Sequence, residues 1–442
     1  MTNSASSTDR ARYACAFQSA QLLTPMKSAN VLRPAGMPPG IQAPAQLNPF
    51  DPDTPYAKAD ILLISYGQYL GSRRTAPGFA DQRDRARTTV IGDSGGYQFI
   101  SGAHPFEGPA TCDASLRWLE EHADVAMTLD IPSEAERRNE QFAERGSALK
   151  TTVENLRYFQ DHQTGVTQFL NVLQGRTPED ADKWYAAVKP FQFGGWAFGG
   201  RLRLDMYELC RRIAVLIRDG RLGAAENWIH VLGTARLPMA VMLTALKRGL
   251  REALGEPTIE ITFDTSTPSL MMSKYLGVVG ADYSVPLEKA DPAFRLRQAK
   301  LPSVSAYCGS DLAFPFDGSR IGQVLKLGDL CADVGDGQKQ SAWDELSNAI
   351  VVNHNLDCML AGIEQANRIA DLQPAEQAHF MPEWLIQALI GIRRFAEARD
   401  FGARMHVLRT YREPLSWLSK VKADYADLST RDYGAEEPDG YA

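Results

Sequence analysis

The chain has 442 residues, enough for one large barrel with an appended segment or for two domains. With 44% hydrophobic and 23% charged residues it has the balance of an ordinary globular protein, which excludes a disordered or fibrous chain. A formal net charge of -7 argues against a protein that coats nucleic acid nonspecifically, because displacing counterions needs an overall basic balance; a local basic groove remains compatible with it.

The first residues, MTNSASSTDRARYACAF, lack the basic-then-apolar pattern of a secretory signal, and no later stretch is apolar for long enough to span a bilayer. A cytoplasmic location is the expectation. Six cysteines (Cys15, Cys112, Cys210, Cys308, Cys331, Cys358) are widely scattered, which points to reduced thiols or a metal rather than a disulfide framework. From Ser28 to about Tyr56 the chain is rich in proline and reads as an extended strap, so residues 1–57 are expected to form an N-terminal extension.

Beyond the strap, short runs rich in Val, Ile and Leu alternate with longer amphipathic stretches: ADILLIS, TTVIGD, DVAMTLD, FLNVLQG, FGGWAFGG, WIHVLG and IEITFD. Alternation of this kind predicts parallel βαβ units. Seven runs lie between Ala59 and Asp264, and an eighth is placed around Gly280–Val285 (GADYSV), so a closed (β/α)8 barrel over residues 58–300 is expected. No GxGxxG opens a helix after the first run, which leaves a dinucleotide fold unsupported. Residues 301–442 begin loop-rich and turn helical from Ser341, and are expected to form a mostly helical C-terminal subdomain packed on the barrel. Two arginine-rich stretches, Arg201 to Arg218 and Arg393 to Arg412, read first as solvated helix faces.

Asp93, Asp130 and Asp264 each follow an apolar run, where a barrel places its active-site mouth. Alone, such an aspartate is usually a helix cap or loop residue. Three together provide the paired carboxylates that chemistry at a glycosidic bond requires, with reduced solvation and mutual repulsion to tune them. Asp93-Ser94-Gly95-Gly96-Tyr97-Gln98 sets glycines and an aromatic ring beside an acid, and Gly194–Gly200 (GGWAFGG) offers open backbone for the carbonyl of a flat ring; tight turns are the plain alternative.

These strings resemble the ordered motif set of the tRNA-guanine transglycosylases: DSGGYQ at Asp93–Gln98, Asp130 in MTLDI, NVLQG at Asn171–Gly175, GGWAFGG at Gly194–Gly200, HVLG at His230–Gly233, Phe263-Asp264, and later His354-Asn355-Leu356. The resemblance implies a double displacement with Asp264 as nucleophile and Asp93 as general acid/base, needing no cofactor for the chemistry. It also implies base recognition by Asp130, Gln174, Ser94, the backbone at Gly194 and Gly195, and stacking by Tyr97. Arg201 and Arg203, just after a strand-end motif, are expected to contact the nucleic-acid backbone.

Two departures shape the expectation. The CxCxxC cluster that holds zinc with a distant histidine in such enzymes does not occur; Cys308, Cys331, His354 and Cys358 form a looser candidate set for a structural zinc. After Asp264 the chain reads Thr267-Pro268-Ser269 with no arginine to hold RNA. The sequence is therefore most similar to the divergent DNA-guanine transglycosylases that insert 7-cyano-7-deazaguanine into DNA, with tRNA exchange as the alternative. Either polymer requires the target guanine to leave its stack, and helper proteins that open DNA fit the lack of any P-loop. Two rivals are a noncatalytic binding subunit, disfavoured by retention of both Asp93 and Asp264, and a glycoside hydrolase, disfavoured by features suited to a planar base.

Overall fold

The structure, a computed structural model, describes residues 9–16, 37–70, 83–102, 104–234, 236–269, 294, 296, 311, 313, 314, 316, 318–330 and 345–420. Eight parallel strands close a barrel in sequential order. They are β1 (Arg12–Ala16), β2 (Ile61–Ser65), β3 (Thr89–Asp93), β4 (Val125–Met127), β5 (Gln168–Leu173), β6 (Gly195–Phe198), β7 (Trp228–Val231) and β8 (Glu260–Thr265). Between them run α1 (Pro109–His122), α2 (Ala135–Arg138), α3 (Ser147–His162), α4 (Pro178–Val188), α5 (Met206–Arg218) and α6 (Leu237–Leu254). This is the expected (β/α)8 barrel.

One strand lies elsewhere than expected. Closure is made by β1, which pairs with β2 on one side and β8 on the other, so residues taken for an N-terminal extension supply a barrel stave. Arg12–Ala16 (RYACA) is short and faces the interior with alanines, and carries little of the β-branched content by which the other strands announce themselves. The barrel is complete without Gly280–Val285, which lies outside the described residues. The start of β1 is fastened below the barrel, where the fully buried Lys247 of α6 donates to the Arg10 carbonyl at 2.8 Å and to Glu260 at 2.5 Å.

Strand alternation sorts the side chains. Ala14, Ile61, Leu63, Ile91, Met127, Leu170, Val172 and Ala197 fill the apolar interior, with Trp228 and Leu232 against them. The outward-facing residues join a larger apolar cluster that continues into the C-terminal helices. Those helices are α7 (Glu345–Ala370), α8 (Pro374–Phe380), α9 (Glu383–Glu397), α10 (Phe401–Thr410), α11 (Arg412–Leu415) and α12 (Trp417–Lys420). α7 and α9 pack on α6, and α10 packs on α5. The proline-rich strap is tied to α7 through Asn353, which accepts from Ala57 N and donates to the Leu47 carbonyl. Among the described residues, no helix is long and apolar enough to cross a membrane.

Candidate active site

Continuing the two-residue period past the apolar layer carries Ser65, Asp93 and Asp264 onto the same inward face as the interior side chains, at the ends where the strands leave the barrel, with His230 and Thr262 on that face one layer below Asp264. Ser65 and Asp93 are register partners of β2 and β3. The Ser65 hydroxyl donates to Asp93 Oδ2 at 2.6 Å. Burial nonetheless pushes the Asp93 carboxyl above the usual carboxylate range; the Ser65 hydroxyl and the Gly95 backbone counter this, and the charge of Asp264 adds to it. A carboxyl shifted in this direction gives up its proton less readily than a free one, which suits an acid.

Asp264, on β8, is also buried. Its Oδ1 accepts from Gly233 N at 2.8 Å and lies 3.2 Å from His230 Nε2. Asp130 follows β4 and accepts from Gln174 Nε2 at 2.8 Å, just past the end of β5. Burial is the first cause lifting its carboxyl to about 7; the Gln174 amide opposes and the neighbouring Asp93 assists. Three acids from three staves thus gather at one mouth, Asp264 acting on Asp93 and Asp93 on Asp130, and among the described residues the hydrogen bonds that hold them come from a hydroxyl, an amide and backbone N–H groups.

The glycines behave differently from the expectation. Gly194 and Gly195 lie at the opposite, N-terminal end of β6, and a Cβ on Gly195 would stand 2.1 Å from the Trp228 carbonyl oxygen. Their backbone groups are engaged in the sheet, where Gly194 N donates to Phe169 and its carbonyl accepts from Asn227 N and Gln168 Nε2. They cannot line the mouth, so the assignment of base binding to them is corrected. Gly199 and Gly200, at the other end of the same strand, are the pair that reaches it: Cβ atoms there would come within 2.8 Å and 3.0 Å of the Gln174 side-chain amide. Gly200 also has φ +69°, a conformation costly for any other residue. In the DSGG segment the space is likewise taken by the protein itself, since a Cβ on Gly96 would lie 2.1 Å from the Asp130 carbonyl oxygen. That glycine lets the loops after β3 and β4 close on each other.

Ser94 is fully buried, and its hydroxyl donates to the Thr128 carbonyl at 3.1 Å. Its proton is spent on fastening β3 to β4. Tyr97 stands half-buried in the short 3-10 turn Gly96–Phe99, packed against the main apolar cluster. Arg201 is exposed on the 3-10 turn after β6. Arg203 is not a solvent-facing rim residue: it is buried, donates to the Gly200 carbonyl at 2.7 Å and packs its guanidinium on Gly233. The turn ends at Asp205, which caps α5 through Tyr207 N and Glu208 N and also accepts from Ser416 and Ser419, so the last helices brace this side of the mouth.

Of the candidate zinc ligands, Cys308 and Cys331 lie outside the described residues. His354 and Cys358 stand one turn apart on α7, fully buried, with Cys358 Sγ 4.0 Å from His354 Nε2. The Ser319 hydroxyl pairs with His354 Nδ1 at 2.6 Å. A tetrahedral zinc sets its nitrogen and sulfur ligands roughly 3.5 Å apart, with the second ring nitrogen held by a polar partner, so this pair fits half of such a site. Among the described residues, no group of three or more His, Cys, Asp or Glu side chains is assembled to hold a metal.

The sequence missed Ser65, the inward pair His230 and Thr262, and the burial of Arg203. Ser65 and His230 sit in the recognised runs ILLIS and WIHVLG; counting inward positions by twos from the apolar layer would have found them. Compared with known proteins, the chain matches no family model and no curated relative.

Proposed function

We propose that this chain is a guanine transglycosylase that exchanges a guanine in a nucleic acid for a 7-deazaguanine base. The observation that carries the reading is the set of three carboxylates at the barrel mouth, with Asp93 raised by burial and by Asp264, Asp130 raised by burial and by Asp93, and Asp264 held by a backbone N–H. Asp264 attacks the sugar C1′ as the bond to guanine breaks, giving an aspartyl-sugar ester, and Asp93 delivers its proton to the departing base. The incoming base then attacks C1′, Asp264 leaves as carboxylate, and Asp93 takes up the proton that the base loses. The Asp130 carboxylate accepts from the base N1–H and exocyclic amine, with Gln174 orienting it and Gly199–Gly200 closing the pocket beside it.

DNA is the favoured polymer and 7-cyano-7-deazaguanine the favoured incoming base, with tRNA exchange as the alternative; both follow from the sequence departures after Asp264. A structural zinc on His354 and Cys358 belongs to the same reading and would stabilise the fold around α7, with no part in the chemistry. Mass spectrometry of nucleosides from separately digested DNA and tRNA tests the whole. Cells carrying the gene and its genomic neighbours should hold a deazaguanine nucleoside in DNA, lost with Asp264→Asn or Asp93→Asn by at least roughly 10³-fold, since neither amide attacks carbon or carries the proton. Loss from tRNA instead would move the enzyme to tRNA modification, and full activity of Asp264→Asn would refute the mechanism.

A further inference from the structure

Most of the barrel interior is apolar, yet β7 and β8 carry a polar ladder through it. Trp228 Nε1 donates to Thr262 Oγ1 at 2.9 Å, Thr262 Oγ1 lies 2.9 Å from His230 Nδ1, and His230 Nε2 lies 3.2 Å from Asp264 Oδ1. His230 and Thr262 are register partners on adjacent strands, and both are fully buried. Burying a hydroxyl and an imidazole where barrels ordinarily place Val, Ile or Leu costs free energy unless the groups are paired. The ladder pairs them and ends on the acid that the reaction uses.

The hydrogen count favours one form of the ring. Trp228 Nε1 has only a proton to give, so it occupies one lone pair of Thr262 Oγ1; the hydroxyl proton has two acceptors in reach, His230 Nδ1 at 2.9 Å and the Ile229 carbonyl at 3.4 Å, and the shorter contact favours the ring. That arrangement puts the ring proton of a neutral imidazole on Nε2, and an imidazolium carries one there as well. The remaining form, with a bare Nε2 lone pair facing a carboxylate oxygen, is repulsive. Nε2–H therefore faces Asp264 in either favoured state. At 3.2 Å from Oδ1 the contact is a close electrostatic one and not an aligned hydrogen bond.

We propose that His230, oriented by Thr262 and Trp228, is the positioning residue of Asp264. Gly233 N–H holds Oδ1 by a hydrogen bond and the His230 N–H attracts it from 3.2 Å, which together turn Oδ2 toward the sugar carbon. The same N–H meets the negative charge that returns to the carboxylate when the aspartyl-sugar ester is broken by the second base. This rests on the reading of Asp264 as nucleophile and extends it to the group that aims it.

Two measurements on the full-length purified protein test the proposal. In nitrogen-15 NMR with histidine-labelled protein at pH 7.5, the resonances that disappear in His230→Gln are those of His230. They should report a proton on Nε2 and should shift in Asp264→Asn; a ring protonated on Nδ1 alone overturns the proposal whether or not exchange is observed. For activity, radiolabelled guanine is exchanged into guanine-containing DNA and, separately, tRNA. His230→Phe, which fills the space without a donor, should lose about 10²-fold in kcat with KM for guanine little changed, while His230→Gln, whose amide reaches the Nε2 position, should recover most of that loss. A folded His230→Phe protein exchanging as fast as the wild type sinks the positioning role and leaves the transglycosylase reading intact. Failure of the wild type to exchange into tRNA or into single-stranded DNA, where no strand opening is needed, sinks that reading, and the NMR result then decides the ladder alone.

Discussion

At the N-terminal end of the barrel, buried charge meets lysine and arginine; at the C-terminal end, among the described residues, the acids meet a hydroxyl, an amide, a backbone N–H and an imidazole. Below the barrel, Lys247 is clasped by Glu260, and Arg251 reaches both Glu260 and Asp9. At the mouth, Asp93, Asp130 and Asp264 are met by Ser65, Gln174 and the Gly233 N–H, and the carboxyls of Asp93 and Asp130 are pushed up by burial, with Asp264 adding to the first and Asp93 to the second. The first arrangement neutralises itself and locks β1 and β8 against α6. The second stores unfavourable electrostatics in the place where a substrate's donors can relieve it. One scaffold thus separates what keeps it folded from what lets it act.

The separation can be broken from below. Lys247→Met retains the apolar stem and removes the charge, leaving Glu260 without its closest partner, a loss on the order of 3–5 kcal/mol for a broken buried pair. The apparent melting temperature should fall by several degrees, while kcat of the surviving folded protein stays within about twofold of the wild type. A large change in kcat at unchanged stability would show that the two ends are not independent.

Asp130→Asn probes the mouth with the opposite sign. The folded carboxyl titrates near 7, against about 4 in an unfolded chain. Between those values the unfolded chain releases a proton that the folded protein retains, so stability declines as pH rises through this window and levels off above it. Asparagine has no such proton and still accepts from Gln174. The variant should therefore match the wild type in stability near pH 4 and exceed it by up to roughly 4 kcal/mol at pH 8, where its binding of guanine is weakest relative to the wild type. Denaturant unfolding at the two pH values checks it; an asparagine variant less stable than the wild type at pH 8 would mean that Asp130 is held as a structural anion.

What the sequence made legible follows the same division. Asp93, Asp130 and Asp264 stood out because each ends an apolar run, and strand ends of a parallel barrel are where such a reading expects function. β1 did not, because RYACA lies between a polar start and the proline-rich strap, and only closure against β8 shows that it is a stave. The double glycines misled for a related reason. GGWAFGG carries the same pair at both ends of one short strand, and sequence alone does not say which end is the mouth; the register with β5 and β7 does. Arg203 lies two residues from Arg201, yet its hydrogen bond to Gly200 folds it inward, a turn-level contact that charge patterning does not encode.

That pair supplies the smallest and most discriminating test. Arg201 is exposed on the turn after β6, whereas Arg203 is packed on Gly233, whose N–H holds the nucleophile. If Arg201 meets a phosphate, Arg201→Ala should weaken nucleic-acid binding uniformly across sequences and lower the slope of log K against log salt by about 1, with kcat at saturating polymer unchanged. Arg203→Ala should do the reverse: little change in the salt slope, but a drop in kcat as the Gly233 loop loses its support and Asp264 loses its aim. Fluorescence anisotropy over a salt series, paired with exchange kinetics, separates the two. Identical behaviour of the two variants would mean that the turn acts as one binding surface, and that the mouth on this side is less firmly built than its hydrogen bonds to Asp205 imply.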